Sequence, residues 1–340
     1  MRQSQPAFVF FSYHLKLTKN KLSELTCRKI WLAPLAGFTD NPFRIICKEN
    51  GADVLISEMV SADGIFHNKE QTLQYAKFTD FQRPFGIQLF GSDPHIISKA
   101  AERILNLQPD LIDINMGCPV KKVVKRGAGS ALMKRTEIAE QIISELKKVV
   151  SGCDIPISAK IRSGWDFQSI NAIEFTRRLE QSGLDIVCLH PRTKTQMFQG
   201  KSDWSLIKKL KENVSITVIG NGDIRSITDA EKMFDQTNCD SIMIGRGILG
   251  KPWLIKEIKA YLKTGKEILI PQEYKLKQIK KHLALMISEK GAEKAIVEMR
   301  SHFSYYSKGH IGGAKVRAFI NQSVDETEII EVIEKLFLNT

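Results

Sequence analysis

Short apolar runs recur along most of this chain with a regularity that leaves few folds open. They occupy 30–33, 54–57, 85–90, 111–116, 157–161, 186–189, 216–219 and 241–244. Each is too short for a helix and too apolar to alternate as a half-exposed strand would. Helix-patterned stretches lie between them, at 94–106, 138–150, 169–181, 205–211 and 228–234. Strand and helix alternating, with strands apolar on both faces, means parallel strands covered on both sides. Eight such runs within about 220 residues fit a (β/α)8 TIM barrel. A doubly wound sheet is the alternative. It would carry a Gly-rich fingerprint after the first strand, where this chain has Pro34-Leu35-Ala36-Gly37.

The rhythm stops near Tyr261. Thr264-Gly265 and Pro271 mark a linker, and helical patterns follow at 271–290, 292–306, 313–321 and 326–337. The expected organisation is a catalytic α/β barrel over 29–263 and a small all-α domain over 264–340. Residues 1–28, with several basic residues and one acid, Glu24, read as a poorly ordered extension.

Composition narrows the class of partner. The 340 residues are 43% hydrophobic, enough for a large core. The formal net charge is +12 and the pI about 9.3. That charge favours an anionic partner: nucleic acid, a membrane surface or a phosphorylated substrate. The 6 cysteines include no C-x-x-C pair, which points to a reduced, cytoplasmic protein with neither disulfide framework nor zinc site. No apolar run reaches the length of a membrane span, and AFVFFSY at 7–13 lacks the features of a signal peptide.

The chemistry concentrates in LIDINMGCPVKKVVKRGAGSALM, residues 111–133. Cys118 stands just past the carboxyl end of a strand, where α/β proteins place reactive groups. Lys121, Lys122, Lys125 and Arg126 follow, then a Gly-Ala-Gly-Ser turn. The competing reading is a structural cysteine beside a solvated basic loop. In a barrel, the other strand ends place Pro34, Leu35 and Ala36, then Gln88, Lys160 and Arg162, around the same mouth. His190 and Arg192, Asn221, Gly222 and Asp223, and Gly245 and Arg246 complete it. Glycines after the last two strands match the phosphate site many barrels build there. A Lys ending a buried strand needs a partner, and an electron-rich anionic ring such as a reduced flavin is one. Gln88 could pair with the uracil-like edge that a flavin presents. The alternative for His190 is a satisfied structural histidine.

Taken together these motifs resemble the tRNA-dihydrouridine synthases, most closely their bacterial B-type branch. The likeness runs from about Ile30 to Asn321. It rests on APLAGFTDNPFR (33–44), DINMGCPVKKVVKRGAGSALM (113–133), AKIRSGW (159–165), HPRTKTQMFQGKSDW (190–204), IGNGDI (219–224) and MIGRGILGKPW (243–253). The resemblance implies a barrel holding FMN without a covalent bond, a helical tRNA-binding domain, and NADPH as transient hydride donor. It implies reduction of the uracil C5–C6 bond in tRNA, with flavin contacts at Pro34 to Ala36, Gln88, Lys160, His190, Asn221 to Asp223 and Gly245-Arg246. The general acid falls on Cys118.

That chemistry is self-consistent. Hydride addition at C6 must be completed by a proton at C5, and a thiol suits that task if its pKa is not depressed. The basic loop must then face RNA phosphate rather than the sulfur. The target base must be splayed out of its stack. Asn115 is the candidate for holding the uracil edge, and Arg162 and Arg192 for ribose or phosphate. No membrane and no obligate protein partner is expected. Two departures stand out: Pro191 where many relatives have Gly or a small residue, and the first 28 residues. A flavin barrel acting on a free pyrimidine, and a non-catalytic RNA-binding protein on a decayed barrel, remain as alternatives.

Overall fold

Residues 19–338 are described by a computed structural model. Nine strands form its frame: β1 (Ile30–Leu32), β2 (Val54–Ile56), β3 (Val60–Ser61), β4 (Phe85–Phe90), β5 (Leu111–Met116), β6 (Ile157–Arg162), β7 (Ile186–His190), β8 (Thr217–Asn221) and β9 (Ser241–Ile244). All strand pairings are parallel, and β1 meets both β2 and β9. The β2–β4 pairing closes the ring. β3 is not a ninth stave. It continues β2 along β4, with Ile56 opposite Gly86 and Val60 opposite Leu89. The β2–β3 side thus carries one extra residue, a bulge, and the eight-stranded barrel expected from the apolar runs is the observed fold.

The strands are buried on both faces for the reason their composition suggested. Alternate residues such as Ile30, Leu32, Leu55, Val187 and Ile242 face the helical shell. Their neighbours Trp31, Val54, Ile56, Ile186, Cys188 and Met243 fill the barrel interior. A helix at Lys19–Thr26 closes the floor. Leu25 is buried in the interior cluster, and its carbonyl accepts a 3.1 Å hydrogen bond from Trp31 Nε1. The Ser241 hydroxyl donates to the Thr26 carbonyl. The expectation of a poorly ordered extension therefore does not hold for 19–28: Leu22 and Leu25, one helical turn apart, supply the apolar face that covers an open barrel end. Residues 1–18 lie outside the described part.

The outer helices begin where the chain offers caps. Asp93 accepts from Ile96 N ahead of the helix Pro94–Ile104, with Pro at its first turn. One expected helix is shorter than its pattern suggested: the 169–181 stretch becomes helical only at Ala172–Gln181, because the residues before it form a hairpin.

The helix Leu254–Thr264 ends at Gly265 in the left-handed conformation (φ 68°). Beyond it, helices Gln272–Lys290, Ala292–Tyr306, Gly313–Ile320 and Glu326–Leu338 pack around a separate core containing Ile279, Met299, Phe303, Ile333 and Phe337. This helical part sits firmly on the barrel. Asn50 Nδ2 donates to Gln278 Oε1 at 2.9 Å, and Lys281 pairs with Glu49 and Lys290 with Asp40. Among the described residues no helix is long and apolar enough to cross a membrane.

Candidate active site

Above the apolar floor the barrel interior turns polar, and its side chains are linked one to the next. The buried Asp113 carboxylate accepts from Ser158 Oγ at 2.5 Å and from Gln88 Nε2 at 2.6 Å. Gln88 Oε1 in turn accepts from Asn115 Nδ2 at 2.8 Å. Asn115 Oδ1 accepts from the backbone N–H groups of Gly117 (3.2 Å) and Cys118 (2.9 Å), shaping the turn that follows β5. Two further contacts pin this turn. Ser130 N donates to the Cys118 carbonyl at 3.0 Å, and Arg162 Nε donates to the Gly117 carbonyl at 2.8 Å. Gly129 (φ +61°) has no room for a side chain, since a Cβ there would lie 2.7 Å from the Cys118 oxygen. The Gly-Ala-Gly-Ser turn is thus the support of the thiol loop.

The thiol opens into a cavity of about 390 Å³ at the carboxyl ends of the strands, a size suited to a cofactor or substrate. Burial pushes the Cys118 thiol pKa up, while the Val120 N–H, Arg162 and Lys160 pull the other way and do not prevail. The sulfur is therefore a protonated thiol at neutral pH. Lys160 Nζ donates to Asn221 Oδ1 at 2.9 Å, and Asn221 Nδ2 to the Met243 carbonyl at 2.6 Å. Burial lowers the Lys160 pKa. Burial also drives His190 well below its usual range, helped by Lys160, Arg162, Arg192 and Arg246, so its ring is neutral.

The last two strand ends form a backbone cradle. Gly222 (φ +117°) packs so closely that a Cβ would lie 2.5 Å from Ser202 Oγ and 2.8 Å from His190 Cδ2. At Gly247 a Cβ would fall 1.9 Å from the Ile224 carbonyl oxygen. Between them Arg246 opens the 3-10 turn Arg246–Ile248, whose first N–H groups have no intrahelical acceptor. Glycine backbone, a free helical N-terminus and the Arg246 and Arg225 side chains on one wall suit a phosphate group.

A sequence model described as Dihydrouridine synthase (Dus) matches residues 31–340. The chain belongs to the dihydrouridine synthase family. Similar members include the Probable tRNA-dihydrouridine synthase of Rickettsia bellii, 36% identical over 91% of this chain and 94% of that protein. The tRNA-dihydrouridine synthase B of Pasteurella multocida is 37% identical over 91% of this chain and 92% of its own. That of Pseudomonas aeruginosa is 36% identical over 87% and 89%.

In this dihydrouridine synthase the cavity wall gathers most of the residues singled out from sequence. Pro34, Leu35, Ala36, Asn115 and Cys118 lie on it, with Lys160, Arg162 and His190. Asn221, Gly222, Asp223, Gly245 and Arg246 complete that set. Lys121, Lys122, Lys125 and Arg126 are exposed outside the cavity and do not figure among the charges acting on Cys118.

Three residues sit differently from expectation. Gln88 is fully buried and off the cavity wall; both ends of its amide are bonded to Asp113 and Asn115. Asn115 reaches the wall, but its carbonyl end is engaged by the Cys118 turn, which leaves one amide hydrogen for a ligand. Arg192 is 1% exposed and off the wall. Its guanidinium bonds the carbonyls of Gln199 and Gly200, Ser202 Oγ, His190 Nε2 and Asp223 Oδ2. With its donors consumed, it braces the 199–202 loop and Asp223 rather than reaching substrate. Burial would raise the Asp223 pKa, but Ser202 N–H, Arg192 and Arg225 hold it below the usual carboxylate range.

The sequence reading missed Phe38, Phe198, Gly247 and Tyr305 on the wall. Phe198 lies inside the quoted 190–204 motif, and its ring sits 4.5 Å from the Arg246 guanidinium and 5.6 Å from that of Arg162. Tyr305 comes from the helical part, edge-on to Phe38 at 5.6 Å, and no local pattern announces that contact.

Proposed function

We propose that this chain reduces the C5–C6 double bond of specific uridines in tRNA to 5,6-dihydrouridine, with non-covalently bound FMN and with NADPH as hydride donor. The observation that carries this reading is the Cys118 thiol, held by a fixed turn on the wall of a cavity that also bears Lys160 and a glycine cradle. The residues fit the cofactor. Gly222, Gly245 to Gly247, Arg246 and Arg225 would hold its phosphate, and Lys160 and Asn221 its electron-rich ring. When bound and reduced, the flavin supplies a hydride to C6 of the uracil.

The chain's own part is to place the uracil and complete the addition. Cys118 Sγ gives its proton to C5 as a general acid; the raised pKa keeps that proton on sulfur until it is needed. Neutral His190 adds hydrogen-bonding capacity without further charge. Arg162 joins the Cys118 loop to the carbonyls of Thr193 and Met197, both at 2.8 Å, so the mouth keeps its shape as a base enters. Lys121, Lys122, Lys125 and Arg126 meet RNA phosphate. The barrel over 29–263 carries the chemistry, and the helical part over 264–340 docks the body of the tRNA. A cytoplasmic location, where tRNA is met, is part of this reading.

The test is to denature the purified protein, identify any released chromophore, and map dihydrouridine on unmodified tRNA incubated with protein and NADPH. FMN and dihydrouridine at defined positions are expected. Release of FAD, or tRNA left unmodified by flavin-loaded protein, would overturn the reading.

A further inference from the structure

The loop after β6 folds back on itself as a hairpin whose shape is firmly fixed. Gly164 and Ile170 form an antiparallel bridge. The Asp166 carboxylate closes the tip by accepting from Gln168 N (3.1 Å), Ser169 N (2.9 Å) and Ser169 Oγ (2.7 Å). The hairpin is tied to both neighbouring loops of the mouth. Lys194 N donates to the Gly164 carbonyl at 2.9 Å and Thr195 N to that of Trp165 at 3.0 Å. On the other side Asn171 Nδ2 donates to the Met133 carbonyl at 2.7 Å. One of these neighbours leads back to Cys118 and the other to His190.

This fixed tip displays Phe167 at 69% exposure. Behind it the Trp165 ring gathers two ammonium groups, one from each neighbouring loop: Lys134 Nζ at 4.7 Å and Lys194 Nζ at 4.4 Å. Cation–π contact limits the wandering of two flexible side chains without neutralising them as a carboxylate would. Asp166 partly offsets Lys134 through its charge, while its Oδ1 accepts all three bonds that close the tip. A bare ring beside two positioned positive charges, one of them only partly offset by a carboxylate, is poorly explained by folding alone.

We infer that this hairpin is an anchor for the RNA strand immediately flanking the target uridine. The inference rests on the function proposed above and goes further, by assigning a site for a nucleotide that is not itself reduced. Splaying one base out of its stack strips its neighbour of a stacking partner. Phe167 offers that neighbour a replacement face, and Lys134 and Lys194 meet the phosphates on either side. Because an aromatic face accepts any base, the site adds affinity without choosing sequence.

The test uses full-length, flavin-loaded protein and unmodified tRNA. Phe167→Ala should raise the KM for tRNA roughly tenfold, within the usual weight of one stacked base. The maximal rate, flavin reduction by NADPH and the melting temperature should stay as in the wild type. Phe167→Trp should retain affinity, whereas Phe167→Leu, apolar but without a ring, should behave like Phe167→Ala. Lys134→Ala with Lys194→Ala should lower the salt slope of tRNA binding by roughly 1.4–1.8, for two phosphate contacts. Unchanged KM in Phe167→Ala, wild-type affinity in Phe167→Leu, or an unchanged salt slope would each overturn the anchor. Wild-type protein that makes dihydrouridine while these variants match it sinks only this inference; wild-type protein that makes none sinks the function beneath it.

Discussion

The barrel mouth and the joint between barrel and helical part both bury polar side chains, but on different terms. In the mouth, Asp113, Gln88, Asn115 and the Cys118 turn hand hydrogen bonds along a chain. At the joint, His282 and His302 lie edge to face, 4.5 Å apart, against the Phe43 ring. His282 Nε2 and His302 Nδ1 are buried without a hydrogen-bond partner in the protein. The mouth is specified by a continuous chain of directed bonds; the joint rests mainly on the fit of rings, with the Asn50–Gln278 bond and a rim of ion pairs beside them. A site that must hold a thiol in one place needs the first kind of construction. A surface that must only keep two cores together can use the second, at the cost of sensitivity to protonation.

The largest effect should come from the end of the mouth's chain. Cys118→Ala leaves the turn in place, because Asn115 binds backbone N–H groups and not the thiol. Flavin binding and its reduction by NADPH should therefore survive. Uridine reduction should slow by roughly 10²–10⁴-fold, the usual weight of a general acid. Stopped-flow measurement separates the two half-reactions. Normal uridine reduction by the prereduced variant would remove Cys118 from its role.

The joint should fail first in acid. Burial lowers the His302 pKa to about 4, with Asp40 opposing and Lys290 reinforcing the shift; His282 is lowered too, with His302 and Lys290 adding to burial. An unfolded His takes its proton near pH 6.5, so between pH 6.5 and 4 the unfolded state binds more protons than the folded one. Stability then drops as pH falls through that window and levels off below it. At about 1.4 kcal/mol per pKa unit, His302 alone contributes a loss of about 3 kcal/mol. His302→Phe keeps a ring against Phe38 and Phe43 but cannot protonate. Its denaturation midpoint should fall less than the wild type's between pH 7 and 5. Parallel curves would show that the joint's acid response does not lie in His302, and would turn the test to His282.

The same contrast explains what could be read from the sequence. Barrel strands are local, uniform runs, and their ends fall at predictable places, so Cys118, Lys160, His190 and Gly222 could be placed around one mouth before any coordinates. Which way a polar side chain spends its bonds is not local. Gln88 and Asn115 were read as ligand contacts because nothing in the motif shows that Asp113 and the Cys118 turn claim them. Arg192 was read as a substrate contact for the same reason: its partners are spread from His190 to Asp223. Tyr305 depends on how a separate core docks, and the helix Lys19–Thr26 was obscured by a charge pattern that hides two leucines.

The finest distinction lies within the polar chain: whether Asp113 acts by its charge or by its bonds. Burial raises its pKa, against the pull of Ser158, Gln88 and Lys160. Asp113→Asn removes the charge at nearly constant shape. The new amide can keep its oxygen toward Gln88 Nε2 and turn its nitrogen toward Ser158, whose hydroxyl can accept as readily as donate. Every bond of the chain then persists, and uridine reduction should change by less than roughly threefold on a bond-based account. Adding Ser158→Ala takes away that acceptor. The amide must then either leave its nitrogen unbonded or turn it on Gln88, setting donor against donor. Gln88 would rotate, Asn115 would lose its acceptor, and the Cys118 turn would loosen. With about 1–3 kcal/mol for an unsatisfied buried group, the double variant should lose roughly tenfold or more in uridine reduction. Ser158→Ala alone should be milder, because Asp113 keeps Gln88. The signature is thus a non-additive cycle in the uridine half-reaction, with flavin reduction as the internal control. If Asp113→Asn alone matched the double variant, the carboxylate would act on Lys160 through its charge, and the hydrogen-bond chain would be a consequence of packing rather than the means by which the thiol is held.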